Sequence, residues 1–431
     1  MHKELGQIVG TEHVEAGATV SDLSGLSGTA SALVRPGTAD EVAAAVSWCY
    51  ERDIAIVAVG GRSGLAGGCV PEGEAVCIDL ERLDAIRSFD PLLWRMEAEA
   101  GVKTATIARR AREVGLRYGP DPGAPEQSNL GGNIACNAGG PHTFKYGTTG
   151  AWVTGVEVVI APGEVVRFGG PVRKDVAGYD LRGLMIGSEG TLGIVTAAWL
   201  KLLPAPEARI PIVGAFASVQ DGAHAIEELY ASGAVPSAID YLDGAALRIA
   251  GGGFPGVISD DTALLLIAEA ESEDDADLIA EALGGRSQRP NADDLWRWRD
   301  GVNGTVRGAL GAKISEDVVV PIDRFAEAVL GVIEIGKKSG YETCSWGHAG
   351  DGNLHATFIH DPGDPPPPEV VQEVFDLAVR LGGTISGEHG IGTLKRGQLS
   401  RQWEPGAVAA QNAVKQALDP KGLFNPGKKQ P

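Results

Sequence analysis

Three kinds of feature are missing from this sequence, and each absence excludes a class of protein. No apolar run approaches the roughly 20 residues that a membrane helix needs, and no signal-peptide core follows residues 1–5, so we expect a cytoplasmic protein without a transmembrane segment. Lysine and arginine total 37 against 57 acidic residues, the net charge is -20, and no basic run interrupts this excess. Such a chain repels phosphate backbones, which excludes nucleic acid as a partner. The five cysteines are scattered without metal-type pair spacing, which excludes a disulfide framework and a cysteine–zinc site.

The composition that is present describes an ordinary globular protein with one anomaly. Hydrophobic residues make up 43% and charged residues 22% of the 431 residues, enough for about two or three domains with real cores. The anomaly is the 61 glycines, which gather in clusters. Because glycine lets a backbone approach a ligand closely, these clusters are the first places to look for a binding site.

The first glycine cluster, residues 60–68, follows an apolar strand predicted at 54–59. Its successive backbone N–H groups can wrap a pyrophosphate, and Arg62 could add a positive contact. The cluster lacks the Gly-Lys-Ser/Thr ending of a nucleoside-triphosphate loop and the G-x-G-x-x-G spacing of a Rossmann turn. A flexible surface turn is the alternative.

A second cluster at 129–140 mixes glycines with amides. Asn133 and Asn137 offer donors and acceptors suited to a heteroaromatic ring, while the glycines leave room for it. Residues 186–194 again place glycines immediately before a predicted strand.

Histidines concentrate near the end of the chain, in residues 347–355 and 387–390. Two imidazoles and a carboxylate form a common open catalytic site for a divalent metal, and His348, His355 and Glu388 supply that set. We place His348 in a loop and His355 on a strand at 354–360, whereas His360 is expected to be an ordinary surface residue. The alternative is that the glycines mark turns and the histidines cap or fill them.

Local patterns also set an expected architecture. Thr38 followed by Glu41 predicts a capped helix to about residue 51, and the prolines at 204–211 predict a domain boundary. The second half alternates strand and helix patterns, which favours an antiparallel sheet with helices on one face.

Taken in order, the motifs resemble a known family. The stretches 60–68, 131–140, 174–181 and 187–194 resemble the FAD-binding domain of the vanillyl-alcohol-oxidase type, also called the p-cresol-methylhydroxylase (PCMH) type. The stretches 347–355, 386–392 and 425–428 resemble the branch that holds D-lactate dehydrogenases, the glycolate oxidase flavoprotein subunit and D-2-hydroxyglutarate dehydrogenase. The resemblance covers about residues 34–428.

The resemblance implies an α+β fold with a two-subdomain PCMH-type FAD-binding domain and an α+β cap domain containing an antiparallel sheet. The expected parts are an N-terminal segment (1–29), the FAD-binding domain (30–205), the cap with the metal site (206–404), and a C-terminal segment (405–431) that returns to the FAD domain. Some relatives attach FAD through a histidine in the first glycine loop, and this loop has none, so non-covalent FAD is expected. The resemblance assigns cofactor binding to Gly60, Gly61, Arg62, Ser63, Gly64, Leu65, Pro120, Asp121, Gly131, Gly132, Asn133, Asn137, Gly140, Gly187, Glu189, Gly190, Ile194 and Asn425.

The implied reaction is metal-assisted oxidation of a D-2-hydroxy acid (D-lactate, glycolate or D-2-hydroxyglutarate) to the 2-oxo acid. The resemblance assigns His348, His355 and Glu388 to the metal, with zinc expected and manganese or iron as alternatives, and His389 to the catalytic base. It matches Arg299 and Lys313 to residues that bind the substrate carboxylate, and we look to Asn303 and Thr357 for further substrate contacts.

Two other functions stay open at this point. One is an FAD-dependent alcohol or aldehyde oxidase that uses oxygen, and the other is a flavin-free metallohydrolase. The expected electron acceptor is a quinone, an electron-transfer flavoprotein or an iron–sulfur subunit, and such a partner would hold the protein at a membrane. A homodimer is also open.

Overall fold

The chain folds into two units, and each combines separate stretches of sequence. The computed structural model describes residues 1–284 and 287–429, apart from the side chains of Ala309 and Leu310. The first unit contains Met1–Gly139, Gly147–Ala205 and Glu388–Pro431, and the second contains Gly140–Tyr146 and Pro206–Gly387. The second unit therefore ends before Glu388, whereas the boundary expected from the sequence follows residue 404.

Helices and strands alternate through both units. The α-helices are α1 (His2–Val9), α2 (Ala39–Glu51), α3 (Thr104–Arg112), α4 (Leu130–Cys136), α5 (Thr143–Tyr146), α6 (Leu181–Met185), α7 (Val219–Ala231), α8 (Gly244–Ala250), α9 (Glu273–Ala282), α10 (Ala292–Leu310), α11 (Phe325–Ser339), α12 (Pro368–Arg380), α13 (Leu399–Gln402) and α14 (Pro405–Leu418). The strands are β1 (Val14–Ala16), β2 (Thr19–Ser21), β3 (Ser27–Thr29), β4 (Ala32–Val34), β5 (Ala55–Val59), β6 (Ala75–Asp79), β7 (Ile86–Asp90), β8 (Arg95–Glu99), β9 (Leu116–Arg117), β10 (Val153–Ile160), β11 (Glu164–Gly169), β12 (Ile194–Lys201), β13 (Leu203–Pro204), β14 (Ile210–Phe216), β15 (Ala238–Asp243), β16 (Leu264–Ala270), β17 (Ala312–Val319), β18 (Glu342–His348) and β19 (Asn353–His360).

A four-stranded sheet in the first unit is built around a helical crossover. Strands β4 and β5 run parallel to the strand between them, β6, and β1 adds antiparallel to β4. Helix α2 connects β4 to β5, and its N-terminus is capped as predicted, because Thr38 Oγ1 accepts a 3.1 Å hydrogen bond from Glu41 N–H. Val42 and Val46 of this helix enter the core.

The two ends of the described chain meet in this same core. Leu5 and Val9 of helix α1 pack there, although no helix was predicted in residues 1–29. Phe424 is also fully buried in this core, and the N–H of Asn425 donates to the carbonyl of Ile56 over 2.7 Å. The C-terminal segment therefore completes the first unit.

A second sheet in the first unit is entirely antiparallel, in the order β11-β10-β12-β8-β7. Helix α4, which carries the second glycine cluster, packs against β12 and β8. One mixed sheet and one antiparallel sheet within one unit confirm the predicted α+β, two-subdomain fold class.

The second unit has a six-stranded sheet in the order β14-β16-β15-β18-β19-β17, with every neighbouring pair antiparallel. This confirms the predicted antiparallel cap. The prediction that helices cover only one face is wrong. Helices α8 and α10 pack on one face around Leu242 and Trp346, while Phe325 of α11 packs edge-on against Tyr241 on the other. The central strands are buried along both faces, so both faces need a covering layer.

Across the described residues, no helix combines the length and the apolarity that crossing a membrane requires.

Candidate active site

The first glycine loop lies directly beside the start of the second glycine cluster. A Cβ added to Gly61 would stand 2.2 Å from the carbonyl oxygen of Gln127, and one added to Gly60 would stand 2.8 Å from Asn129 Oδ1. Asn129 itself caps helix α4 by accepting from Gly132 N–H over 3.0 Å. The glycines are therefore required for this close approach, which brings the predicted pyrophosphate loop and residues 129–132 together.

Arg62 is less available to an anion than the sequence suggested. Its Nη2 lies 2.6 Å from Asp79 Oδ2, and the Asp79 side chain is only 2% exposed. Arg62 also adopts a left-handed backbone conformation, with φ of 57°. The buried carboxylate offsets part of its charge, so its contact with a pyrophosphate stays a prediction.

The amides of the second cluster already support the local fold. Asn133 Nδ2 donates to Thr104 Oγ1 over 2.7 Å, and Asn137 Oδ1 accepts from Gly150 N–H over 2.8 Å. Their predicted contacts with a ring system would use the remaining amide atoms. Pro120 and Asp121 follow strand β9, and Gly140 is the first residue of the short segment that belongs to the second unit.

Glu189, predicted to bind cofactor, holds the segment that follows His389. Its two carboxylate oxygens accept from Ile391 N–H at 2.9 Å and from Gly392 N–H at 2.7 Å. These bonds lie within the first unit, since Glu388 and His389 begin its last segment. Glu189 therefore orients the peptide beside the predicted base.

Asn425 joins three of the predicted cofactor segments. Its Nδ2 donates to the carbonyl of Gly68 at 2.9 Å and to the carbonyl of Glu189 at 2.7 Å. Its Oδ1 is buried without a hydrogen-bond partner among the described residues. A buried acceptor with no protein partner, surrounded by converging glycine loops, fits a bound cofactor that carries N–H or O–H groups, as FAD does.

In the second unit, strand register places the two histidines of the predicted metal site on one face of the sheet. His348 pairs with Asn353 and Trp346 pairs with His355 across the β18–β19 hairpin. Because side chains alternate faces and paired residues share a face, His348 and His355 are diagonal neighbours. The prediction that His348 lies in a loop is wrong, since it is the last residue of β18 and the turn follows it.

The two imidazoles are close and nearly perpendicular. Their ring centroids are 5.6 Å apart with an interplanar angle of 87°, and each offers a ring nitrogen within 4.8 Å of the other. Both side chains are more than nine-tenths buried. Two converging imidazoles in a dry site fit a borderline divalent metal such as zinc.

Asp240 links His348 to the predicted substrate arginine. Its Oδ1 lies 2.7 Å from His348 Nδ1, and its Oδ2 lies 2.7 Å from Arg299 Nε. Burial alone would raise the pKa of Asp240, but the charges of Arg299 and His348 hold that pKa below its ordinary value. A carboxylate on Nδ1 fixes the tautomer of His348, so that Nε2 carries the lone pair for a metal.

Asp317 lies beside His355 on the paired strand. It faces His355 across the β17–β19 pair, with its Oδ1 3.9 Å from His355 Nδ1, which is too long for a hydrogen bond. Its other oxygen accepts from Gly387 N–H at 2.8 Å and from Ser386 Oγ at 3.1 Å. The peptide that leads into Glu388 is therefore anchored to the second unit's sheet. The positions of Glu388 and His389 as ligand and base stay predictions.

The predicted substrate residues gather on the same sheet face. Arg299 and Asn303 are four residues apart on helix α10, so they share one side of it. Lys313 Nζ donates to Asn303 Oδ1 and, over 3.1 Å, to Ser315 Oγ, which is 2.7 Å from Thr357 Oγ1. These contacts bring Asn303, Lys313 and Thr357 into one chain of hydrogen bonds.

Arg299 and Lys313 are two cations that could bind an anion. Arg299 is 7% exposed, and its Nη2 is buried without a hydrogen-bond partner among the described residues. Lys313 stacks over the ring of Trp346 at 4.8 Å, and burial lowers the pKa of its ammonium to about 8. An anion beside these groups would meet desolvated positive charge.

A second buried carboxylate, Glu269, ties residues 140–146 to the cap sheet. It is fully buried, and it receives hydrogen bonds from His142 Nε2 at 2.8 Å, Trp296 Nε1 at 2.6 Å and Ser237 Oγ at 2.9 Å, with Arg209 Nη2 at 3.1 Å. Burial would raise the pKa of Glu269, but His142 and Arg209 outweigh it and lower the pKa to about 2.

Sequence reasoning missed Asp240, Asp317 and Glu269. Each role depends on neighbours across the sheet. The available signal was an acidic residue among the apolar residues of a strand, as Asp240 in residues 238–243.

Comparison with known families and proteins agrees with this architecture. The family described as FAD binding domain matches residues 30–169, and the family described as FAD linked oxidases, C-terminal domain, matches residues 205–429. Glycolate oxidase subunit GlcD of Bacillus subtilis (strain 168) is 33% identical over 417 residues, which covers 92% of this chain and 88% of that protein. D-lactate dehydrogenase of Anaerostipes hadrus is 32% identical over 427 residues, with 92% and 88% covered.

Among solved structures, p-cresol methylhydroxylase with substrate bound superposes with a TM-score of 0.77 at 17% identity, covering 99% of this chain and 95% of that one. At that identity the likeness concerns the fold alone. The matched family domains and the relatives above 30% identity carry the assignment further. The chain belongs to the FAD-linked oxidoreductases with a PCMH-type FAD-binding domain, in the branch that contains the D-lactate dehydrogenases and the glycolate oxidase flavoprotein subunits.

Proposed function

We propose that this enzyme oxidises a D-2-hydroxy acid of the D-lactate, glycolate or D-2-hydroxyglutarate class to the 2-oxo acid, with FAD and a divalent metal. The observation that carries the proposal is Asp240, which joins a paired imidazole to a buried arginine at 2.7 Å on each side. A 2-hydroxy acid carries a hydroxyl and a carboxylate on adjacent carbons. A metal-type histidine pair next to a desolvated guanidinium suits both groups.

His348, His355 and Glu388 would hold the metal, with zinc as the first candidate and manganese or iron as alternatives. A bound Zn-type ion lowers the pKa of a coordinated water by about 8 units, which is the help that an alcohol near pKa 16 needs before an imidazole near 6.5 can deprotonate it. Asp240 holds the imidazole of His348 in place for this task.

His389 would accept the hydroxyl proton, and Glu189 keeps the following peptide in position. FAD, when bound, supplies the two-electron acceptor for the hydrogen on C2. Non-covalent binding is expected, because residues 60–68 contain no histidine.

Arg299 and Lys313 would bind the substrate carboxylate. The Nη2 of Arg299 supports this role because it is buried and has no protein acceptor among the described residues. Asn303 and Thr357, which share the hydrogen-bond chain of Lys313, are placed to distinguish one hydroxy acid from another.

The proposal is tested with the purified flavoprotein and an artificial dye acceptor. His348→Ala and Glu388→Ala should abolish turnover of D-lactate, glycolate, D-2-hydroxyglutarate and D-malate while the flavin spectrum is retained. His360→Ala, on the same strand as His355, is the control and should keep activity, since the His360 ring hydrogen-bonds the adjacent carbonyl of Asp361 and was not assigned to the site. Full activity after exhaustive chelation, or activity confined to L-acids, would contradict the proposal.

Hydrogen peroxide yield separates a dehydrogenase from the oxygen-using oxidase, whose histidine cluster would be structural. The match of residues 30–169 to an FAD-binding domain argues against a metallohydrolase that binds no flavin. The physiological acceptor is proposed to be a quinone, an electron-transfer flavoprotein or an iron–sulfur subunit, and a homodimer is compatible with it.

A further inference from the structure

A short hairpin in the first unit ends in an exposed apolar tip. Strands β7 and β8 are joined by the turn 91–94, in which Leu92 is 92% exposed, Leu93 56% and Trp94 39%. The tip is held in shape, because Leu93 N–H donates to Asp90 Oδ1 at 3.1 Å and the Trp94 carbonyl accepts from Leu202 N–H at 2.7 Å. A leucine side chain stabilises a fold when it is removed from water. The exposed leucines of this tip therefore contribute little to the stability of the protein.

The irregular segment 170–180 also exposes apolar side chains. Val172 is 50% exposed, Val176 95% and Tyr179 96%. The segment touches the hairpin through Arg173, whose guanidinium carbon lies 5.8 Å from the centre of the Trp94 ring. Large apolar side chains at this exposure rarely cluster on a soluble surface without a partner.

Cations surround the tip, although the whole chain carries a net charge of -20. Lys201 pairs with Arg95 across strands β12 and β8, and burial together with the nearby charges of Arg173 and Arg182 lowers the pKa of Lys201. Within residues 1–284 and 287–429, Arg95 has Asp90 Oδ2 at 3.6 Å, whereas no carboxylate stands within 4.0 Å of Arg173, Lys174 or Lys201. The charges of these last three residues are therefore not neutralised by an adjacent ion pair.

We propose that this surface, formed by the 91–94 turn, Val172, Val176 and Tyr179 with Arg95, Arg173, Lys174 and Lys201, docks directly on an anionic lipid bilayer. Leucines and a tryptophan at a protruding turn enter the interfacial region, where an indole ring is favoured. The cations meet the lipid headgroups, and each adds attraction near an anionic surface. Screening within about 8 Å limits repulsion from the acidic remainder of the chain.

This docking differs from attachment through a membrane-bound partner, and it does not depend on the proposed substrate. It would place a flavoenzyme at the surface where lipid-soluble electron acceptors reside. An acidic protein surface and a second copy of this chain are the competing occupants of the same patch.

The test is flotation of the purified holoenzyme with vesicles of equal parts phosphatidylglycerol and phosphatidylcholine, and with phosphatidylcholine alone. The expected result is binding to the anionic vesicles only, weakened by added salt. L92S/L93S should lower the partition coefficient by about tenfold or more per leucine, and Arg173→Gln with Lys174→Gln should lower it further. L278S, which changes an exposed leucine of the second unit, is the control and should bind as the parent does.

Activity with the dye acceptor should be unchanged in L92S/L93S, which shows that the protein is folded. Absence of binding to anionic vesicles, or binding that survives L92S/L93S, overturns the proposal. A parent dimer that L92S/L93S converts to monomer assigns the surface to a second copy and also overturns it. If the enzyme binds vesicles only when an acidic protein is added, the proposal of direct docking is also overturned.

Discussion

Replacing Asp240 by asparagine should weaken the binding of both the metal and the substrate. The asparagine oxygen can still accept from His348 Nδ1–H, but its NH2 group would then face Arg299 Nε, which lies 2.7 Å from Oδ2 in the parent. Two donors would be opposed in a fully buried site, and the arginine would lose its counter-charge. We therefore expect weaker metal binding and a higher KM for the hydroxy acid in the same variant.

The magnitude follows from the contacts that are lost. Removing a partner that orients a ligating histidine typically costs about 10–100-fold in metal affinity or activity, equivalent to about 1.4–2.7 kcal/mol. Leaving the buried guanidinium without its carboxylate costs about 3–5 kcal/mol, shared between protein stability and substrate binding. The thermal midpoint should accordingly fall together with the metal affinity.

Asp243→Asn is the matched control on the same strand. Asp243 points to the opposite face, where it accepts from Ala246 N–H at 2.8 Å and Ser345 N–H at 2.7 Å, and burial raises its pKa to about 6. Metal affinity is measured by competition with a chelator, and KM with the dye acceptor. An Asp240→Asn enzyme with the parent's metal affinity and KM would refute the assigned role of Asp240.

Two further predictions concern buried charge in the second unit. Glu269→Gln should lower the thermal midpoint by roughly 6 °C or more, because its NH2 would face the donors of either His142 or Trp296, whereas Glu273→Gln at a 76% exposed carboxylate should change it little. The parent should lose the contribution of Glu269 as the pH falls from its ordinary 4.5 towards its folded pKa of about 2, and the variant should not show that loss in acid titrations followed by fluorescence. For Lys313, whose pKa is about 8, KM for the hydroxy acid should rise as the pH passes through that value and the ammonium loses its proton. Lys313→Met should show a KM about tenfold or more higher at neutral pH with no such rise, and a parent profile that is flat across this range would contradict the role.

The sequence predicted the parts of the site that depend on local backbone needs. The glycine loop at 60–68 can lie against residues 127–132 because Gly60 and Gly61 have no side chains that would clash there. Strand β19 carries His355 as expected. The capped helix predicted to run to about residue 51 also ends there, at Glu51. These features need no knowledge of distant neighbours.

Features that depend on cross-strand register were not predictable. Asp240 orients His348 only because β15 and β18 are adjacent, with 108 positions of sequence between the two residues. Helix α1 was missed for the same reason, since Leu5 and Val9 pack against partners that include Phe424. A single sequence contains the pattern of each strand, but not which strands become neighbours.

The interleaving of the two units reverses the order in which a growing chain can complete them. Every part of the second unit has been synthesised once Gly387 is made, because it needs only Gly140–Tyr146 and Pro206–Gly387. The first unit, although it starts the sequence, must wait for Phe424 to fill its core and for Asn425 to bridge Gly68 and Glu189. On the ribosome, the second unit can therefore fold while the first unit still lacks its last segment.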